Sequence, residues 1–166
     1  MDSTLFGIWV FVFGAIVGSF LNVVILRFNS GKTILGRSGC FSCGKTLACY
    51  ELIPVFSYIF LRGKCSRCQS HISIQYPLVE LLNGLLFVFL FFRVLESFPI
   101  LNSSFVILIF LECLIWTSLV VIFVYDIHHK IIPDLFSGLF FVGALGFILF
   151  GFYETHDLLT LMHNGE

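Results

Sequence analysis

Four cysteines in one polar segment have the spacing of a metal site. They form two C-x-x-C pairs, namely Cys40, Cys43, Cys65 and Cys68. Each pair can hold one ion from a tight turn, and two pairs complete a tetrahedral all-sulfur shell of the kind that binds zinc. Such a shell has no open coordination position, so the pattern predicts a structural metal. Unligated thiols and redox-active pairs are the alternatives that the spacing leaves open.

Two further cysteines stand apart from these pairs. Cys49 lies between the pairs, and Cys113 lies inside a long apolar run. We expect both to be buried or semi-buried, because a free cysteine usually behaves as a small hydrophobic residue.

Asp126 is the acidic residue whose position most needs an explanation. It follows a strongly apolar stretch, in the sequence VYDIHHKIIPD. A carboxylate at a membrane edge is either a solvated end of a helix or a group that meets a substrate there. The adjacent His128 and His129 point in different directions on a helix and are interpreted as interfacial. Asp134 follows Pro133 and is placed to cap the next helix.

Two other acids fall within apolar runs. Glu80 lies near the start of its run, where it can reach interfacial water. Glu112 lies deeper, in IFLECLIW, and needs a polar partner or a proton. A hydrogen bond between helices and a functional role are both compatible with the position of Glu112.

The elements that position these residues are membrane helices. The chain of 166 residues is 58% hydrophobic and only 11% charged, and a soluble domain of this size cannot bury so much apolar surface. Four runs carry one charge or none and are long enough to cross a bilayer. They cover residues 3–26, 72–92, 97–125 and 135–153. The predicted fold is therefore an all-α integral membrane protein with about four transmembrane helices.

This prediction divides the chain into four segments. Residues 1–27 form the first span, and residues 28–71 form a four-cysteine zinc-knuckle loop. Residues 72–153 form three spans that carry Asp126, and residues 154–166 form a short polar tail.

The basic residues indicate the orientation of the spans. Seven of the nine Lys and Arg residues lie between Arg27 and Arg67. Basic loops beside a span face the cytoplasm, so we expect the zinc loop on that side. The third span then returns Asp126 to the same face. This interpretation makes the lipid bilayer the expected partner of the chain, and no nucleic-acid partner is expected.

Several segments together resemble a known family. They are GSFLNVVILR (18–27), the two cysteine pairs, YELIPVFSYIFLRGKC (50–65), ISIQYPLVELLNGLLF (72–87) and DIHHKIIPD (126–134). In this order they resemble the bacterial type IV prepilin peptidases, the leader peptidase/N-methyltransferase family. The similarity extends from residue 18 to about residue 134.

The resemblance implies an aspartic endopeptidase of the bacterial inner (plasma) membrane. Such enzymes cleave the leader peptides of type IV prepilins and of the pseudopilins of type II secretion, at the cytoplasmic face. Many methylate the new amino terminus with S-adenosylmethionine. By motif, Asp126 matches the first catalytic aspartate and the four paired cysteines match the zinc ligands. Glu80, in YPLVE, matches a segment linked with methylation.

The second aspartate of the family is the main departure. It belongs to a G-x-G-D motif that this chain does not contain, and neither Asp134 nor Asp157 is assigned to the role. We therefore expect a carboxyl-terminally truncated family member that is inactive alone. The alternative is a non-catalytic zinc-binding membrane protein that binds pilin precursors or assembly partners. A third possibility, methyl transfer alone, lacks the support of a glycine-rich nucleotide motif.

Overall fold

The structure is a computed structural model that describes residues 3–31, 33–97 and 103–163. Its regular elements are helices: α1 (Ser3–Arg27), a 3₁₀ turn (Cys49–Leu52), α2 (Phe56–Phe60), α3 (Gln75–Ser97), α4 (Ser103–His129) and α5 (Asp134–His163). The chain forms two compact units, Met1–Phe89 and Leu90–Glu166.

Among the residues that the structure describes, four helices are long and apolar enough to cross a membrane. Their candidate spans are Thr4–Arg27, Gln75–Glu96, Ser104–His129 and Asp134–Tyr153. The shortest has 20 residues, and 20 helical residues extend about 30 Å, the thickness of a bilayer's hydrocarbon core. The predicted all-α fold, with four spans and a loop between the first and second, is confirmed. The protein is a multi-pass membrane protein.

The helix ends differ from the ends of the apolar runs. Arg93 and Glu96 lie inside α3, because charged residues end an apolar run without breaking a helix. Residues 154–163, predicted as part of a polar tail, continue α5. Residues 98–102 of the predicted third span and residues 164–166 of the tail lie outside the described residues.

In the first unit, α1 and α3 approach closely at two glycines. A Cβ atom on Gly14 would lie 2.8 Å from Phe87 Cβ, and one on Gly18 would lie 2.9 Å from Glu80 Cα. Gly14 and Gly18 are four residues apart, so they share one face of α1. Small residues at this spacing let the backbones of membrane helices come into contact.

Buried amides connect the same two helices. Asn83 is fully buried, and its Nδ2 donates to the Gly14 carbonyl at 2.7 Å. Asn22 Nδ2 donates to the Tyr76 carbonyl at 3.1 Å. Because lipid supplies no hydrogen-bond partners, such bonds between helices fix the lateral position of α1 against α3.

In the second unit, apolar side chains pack around the end of α3 and along α4 and α5. Val94, Phe105 and Leu108 form the buried cluster, with Phe147 and Phe150 packed against it. Helices α4 and α5 lie along one another, and they connect through a short turn that follows His129. This turn places Asp126 near its start and Asp134 at its end.

Candidate metal centre and the membrane-edge acids

The first pair of cysteines lies on a tight turn, which we call the first knuckle (residues 39–46). The Cys40 N–H donates to the Lys45 carbonyl at 2.9 Å, and the Gly44 N–H donates to the Cys40 carbonyl at 2.9 Å. One antiparallel bridge joins the ends of the turn. Gly44 has φ +68°, in the left-handed region that glycine adopts without steric cost.

The second pair lies on a turn with the same pattern, which we call the second knuckle (residues 64–71). The Cys65 N–H donates to the Ser70 carbonyl at 2.9 Å, and the Gln69 N–H donates to the Cys65 carbonyl at 3.0 Å. One antiparallel bridge again joins the ends. Gln69 occupies the left-handed position at φ +58°, so this turn forms without a glycine.

The two knuckles bring the four predicted ligands together. The four Sγ atoms all lie within 4.8 Å of one another. Cys40 Sγ and Cys68 Sγ are 3.7 Å apart. A tetrahedral ion with metal–sulfur bonds of about 2.3 Å separates its sulfurs by about 3.8 Å. The cluster can therefore bind a metal ion, and its geometry fits a zinc knuckle.

A serine hydroxyl bridges sulfurs from both knuckles. Ser70 Oγ lies 3.1 Å from Cys68 Sγ and 3.5 Å from Cys40 Sγ. This hydroxyl is the largest cause that lowers the pKa of Cys40 to about 6, and it also lowers the pKa of Cys68. Since the thiolate is the form that binds metal, Ser70 favours the ligating state of both residues.

Outside the sulfurs, a buried carboxylate holds the two knuckles together. The Glu51 side chain is only 1% exposed, and its Oε1 lies 2.9 Å from Lys45 Nζ in the first knuckle. Ser66 of the second knuckle donates its hydroxyl to the same oxygen. The Ala48 N–H donates to Glu51 Oε2 at 2.8 Å. One side chain thus contacts both knuckles and the segment between them.

Sequence reasoning missed this role of Glu51. The Ser66 hydroxyl, followed by the Ala48 N–H and Lys45, lowers the pKa of Glu51 to about 2. The residue therefore stays ionised in the folded loop at any ordinary pH. One signal was available, because Glu51 is the sole acidic residue between Arg27 and His71 in a strongly basic segment.

The last residue of α1 organises the start of the loop. Arg27 Nη1 donates to the carbonyls of Thr33, Ile34 and Gly36 at 2.9, 3.2 and 2.7 Å, and Nη2 donates to the Arg37 carbonyl at 2.9 Å. A guanidinium group can make several such bonds at once because its donors lie in one plane. These bonds turn the chain sharply where it leaves the first span.

Glu80 is buried rather than in contact with water. It is 8% exposed, and its Oε2 accepts the Val55 N–H at 2.8 Å. This carboxylate therefore connects α3 to the segment before α2. It lies in the first unit, as do the four cysteines, and it contacts Gly18 of α1 through its backbone.

Asp126 lies in the last turn of α4 and is exposed. Its backbone carbonyl accepts the Lys130 N–H at 2.8 Å. In the described part of the chain, no hydrogen bond or ion pair joins the Asp126 carboxylate to another side chain. Asp134 is the first residue of α5 and is also exposed. The carboxylates of the turn are thus available to solvent.

The remaining candidates have mainly structural surroundings. His128 Nδ1 lies 3.0 Å from the Val124 carbonyl, and His129 stacks on Tyr125 with ring centroids 4.4 Å apart. Both histidines are exposed. Glu112 has the polar partner that its position required, because Arg93 Nη1 lies 2.9 Å from Glu112 Oε1.

The two unpaired cysteines differ in burial. Cys113 is half-buried, as expected. The expectation for Cys49 is wrong, because this residue is exposed. Cys49 begins the 3₁₀ turn and lies outside the sulfur cluster.

Four helices able to cross a membrane and a four-cysteine knuckle pair define a multi-pass membrane protein with a metal-binding loop. The family model for the bacterial peptidase A24 N-terminal domain matches residues 12–94. The chain belongs to this family.

Relatives support the assignment. A prepilin leader peptidase/N-methyltransferase of Myxococcus xanthus is 54% identical over 84 residues, which are 50% of this chain and 25% of the relative. The protein of that name in Bacillus subtilis is 37% identical over 128 residues, 75% of this chain and 47% of the relative. The one in Aeromonas hydrophila is 31% identical over 173 residues, 86% of this chain and 57% of the relative.

The chain therefore spans between about a quarter and rather more than half of the length of these curated relatives. No solved structure shows significant similarity to it.

Proposed function

We propose that this chain supplies the metal loop and one catalytic aspartate of a prepilin peptidase. In this role it acts in the cleavage of leader peptides from type IV prepilins and pseudopilins. The observation that carries the proposal is that the family match and the cysteine cluster fall in the same segment. Residues 12–94 match the peptidase family, and the four cysteines of the same segment come together as a metal site.

The metal of the knuckles is zinc, and its role is structural. Four thiolates at tetrahedral spacing suit zinc, and they leave no position for water or substrate on the ion. A polar loop of this length has little core of its own, so metal binding contributes directly to its folding. The residues that hold the ion are Cys40, Cys43, Cys65 and Cys68.

Asp126 is one of two carboxylates in an aspartic peptidase mechanism. One carboxylate accepts a proton from the attacking water, while the other donates a proton to the carbonyl oxygen of the scissile peptide bond. A single carboxylate cannot be ionised and protonated in the same step. The exposure of Asp126 at the end of α4 leaves it free to meet both a substrate and a second acid. The family's G-x-G-D segment is the source of that acid.

The chain also takes part in methylation of the new amino terminus. The names of the relatives include N-methyltransferase, and S-adenosylmethionine is the usual donor of the methyl group. Glu80, which lies in the YPLVE segment, is the residue that we associate with this activity. Its contact with Val55 places it beside the loop that carries the metal.

Cleavage takes place at the cytoplasmic face of the inner membrane. The concentration of seven basic residues between Arg27 and Arg67 supports this orientation of the loop. From the loop, the second span crosses the bilayer and the third span crosses back, so Asp126 at the end of the third span returns to the cytoplasmic face. Labelling of a cysteine introduced at position 45 only from the outside would contradict this orientation.

The activity can be tested in membranes that lack another prepilin peptidase. The chain is produced alone or together with a segment that contains G-x-G-D, and the mass of a prepilin substrate is measured. We expect cleavage only when the second segment is present. D126N should then abolish cleavage, because an amide cannot take the proton from water. D134N is the matched control, since Asp134 is also an exposed acid of the same turn, and this variant should remain active.

Other outcomes would contradict parts of the proposal. Cleavage by the chain alone would show that the second acid lies within it, and Asp134 would then be the first residue to test. Cleavage by the D126N variant would remove Asp126 from the mechanism. If prepilin binds the metal loop but no combination cleaves it, the chain is a non-catalytic binding protein for pilin precursors.

A further inference from the structure

The loop between the first two spans has an apolar surface of its own. Residues 52–61, LIPVFSYIFL, contain no charged side chain. Phe56 and Ile59 are exposed, and Phe60 is 84% exposed. Helix α2 buries none of its own residues. An apolar patch of this kind indicates a partner or a membrane, because water around it is unfavourable.

This surface is tied to a spanning helix at a definite depth. The Val55 N–H donates to Glu80 Oε2, and Glu80 lies about 7.5 Å along the helix axis from Gln75, where the span begins. The span Gln75–Glu96 has 22 residues, or about 33 Å of helix, so Gln75 lies near the edge of a hydrocarbon core about 30 Å thick. The chain at Val55 therefore lies near the edge of the core, within the reach of one glutamate side chain from the level of Glu80.

The surface of α3 at this depth is itself lipid-exposed. Leu78 and Leu81, on either side of Glu80, are 54% and 40% exposed. They begin a row of leucines that continues along the span as a shallow apolar groove. The hydrogen bond to Glu80 thus holds Val55 against a helix whose neighbouring side chains face the bilayer.

The backbone of Val55 shows that the segment is held in place. Its φ is +61° and its ψ is −49°, in a region that β-branched residues almost never adopt. Such a conformation is strained and persists only where the surroundings impose it. The buried Glu80 carboxylate, which accepts the Val55 N–H, supplies one such constraint.

We propose that residues 52–61 form an interfacial anchor, which lies in the boundary between lipid headgroups and acyl chains. The acyl chains cover Phe56, Ile59 and Phe60, and the anchor holds the metal loop against the membrane surface. Interfacial helices lie at a depth of about 5–10 Å in this boundary, which agrees with the level of Glu80. The proposal rests on the membrane spans and not on the proposed peptidase activity.

The charges around the anchor suit an anionic lipid surface. Arg62, which is exposed, and Lys64 follow the anchor directly, and Arg67 lies three residues further on. The acidic Glu51 before it is paired with Lys45 and adds no net repulsion. Basic residues beside an inserted apolar segment are attracted to anionic lipid headgroups.

Tryptophan fluorescence can test the anchor in the full chain. The two native tryptophans, Trp9 and Trp116, are first replaced by phenylalanine. F60W and, separately, I59W then place a single reporter in the anchor. The protein is reconstituted into phospholipid bilayers that carry bromine on the acyl chains, either near the glycerol or near the terminal methyl group. We expect blue-shifted emission and loss of most of the fluorescence, with stronger quenching by bromine near the glycerol.

F41W is the matched control. Phe41 is an aromatic residue of the same loop and is 76% exposed, but it lies in the first knuckle and not in residues 52–61. Its tryptophan should emit at longer wavelength and be quenched much less. Each variant must retain the same metal content as the unsubstituted protein, which shows that its loop is folded.

Three results would overturn the proposal. The first is water-like, unquenched emission from both F60W and I59W, with a blue shift only after a prepilin is added; the surface would then bind substrate. The second is a blue shift that depends on the protein-to-lipid ratio and is not accompanied by bromine quenching. That result would indicate that a second copy of the chain covers the surface. The third is equal quenching of F41W and F60W, which would mean that the whole loop rests on the membrane without a local anchor.

Discussion

Arg93 Nη1 on α3 lies 2.9 Å from Glu112 Oε1 on α4, so an ion pair joins two spanning helices within the second unit. The carboxylate is almost fully buried, whereas the Arg93 side chain is 52% exposed. This geometry lets the long Arg93 side chain extend toward the bilayer surface. Its charge neutralises the Glu112 carboxylate, which would be unfavourable in the bilayer without a partner.

Removal of Arg93 should therefore destabilise the protein more than removal of the pair. R93M leaves a buried, unpaired carboxylate and should lower the free energy of unfolding by about 3 kcal/mol. The double variant R93M/E112M should recover part of this loss. Thermal unfolding in detergent, followed by the helical circular dichroism signal, measures both. Equal stability of R93M and the unsubstituted protein would show that the pair contributes nothing.

Metal content should depend on the clustered cysteines alone. The double replacement C40S/C65S removes one ligand from each knuckle, so the purified protein should lose its zinc. C49S is the matched control, because Cys49 lies in the same loop, is exposed and is not part of the cluster. Elemental analysis of both proteins gives the result. Zinc that remains in C40S/C65S at one ion per chain would exclude this site.

Glu51 should stabilise the loop in a manner that depends on pH. Its pKa is lowered from 4.5 to about 2, so the ionised form stabilises the folded loop above pH 4.5. This contribution is lost as the pH falls from about 4.5 through about 2. E51Q, which is neutral throughout, should cost about 1.5–3 kcal/mol at neutral pH, and its difference from the unsubstituted protein should disappear near pH 2.

Hydrogen exchange of the Ala48 amide measures this effect, because that N–H donates to the Glu51 carboxylate. Metal loss in acid affects both proteins, so the difference between them isolates Glu51. A difference that stays constant between neutral pH and about pH 2 would show that the charge of Glu51 is not what stabilises the loop.

Substitution of Gly18 should separate α1 from α3. A Cβ on Gly18 would lie 2.9 Å from Glu80 Cα, and a backbone atom cannot move aside as a flexible side chain can. G18A should therefore lower the free energy of unfolding by about 1–3 kcal/mol. G138A is the control, because a Cβ on Gly138 in α5 meets nothing within 4 Å. That variant should be neutral or slightly stabilised, since alanine favours helix.

Heating in detergent, followed by the fraction of protein that remains folded and monodisperse, compares the two glycine variants. If G18A and G138A behave alike, close contact between the backbones of α1 and α3 is not required.

The sequence predicted the spans and the clustering of the four cysteines because both leave local patterns. A run without charges identifies the middle of a spanning helix, and C-x-x-C identifies a knuckle. The helix ends were predicted less well, because residues such as Arg93 and Glu96 end an apolar run while they continue the helix. Charge reports the membrane boundary rather than the end of a helix.

The interior of the loop could not be predicted from the same patterns. Glu51 contacts Lys45 and Ser66, which are 6 and 15 residues away in the chain, and Val55 contacts Glu80, which is 25 residues away. Such contacts depend on how the knuckles pack, and they cannot be predicted from a periodic pattern in the sequence.

The hydrogen bonds of Arg27, at the end of the first span, affect the order in which the parts of the loop can fold during synthesis. All four carbonyl partners of Arg27 lie within 10 residues of it. Contacts this local can form as soon as residue 37 has emerged from the ribosome. The metal site must wait for Cys68, which is 28 residues after Cys40. During synthesis the hydrogen bonds of Arg27 can therefore form first and hold residues 33–37 against the end of α1. The knuckles assemble afterwards on this ordered segment.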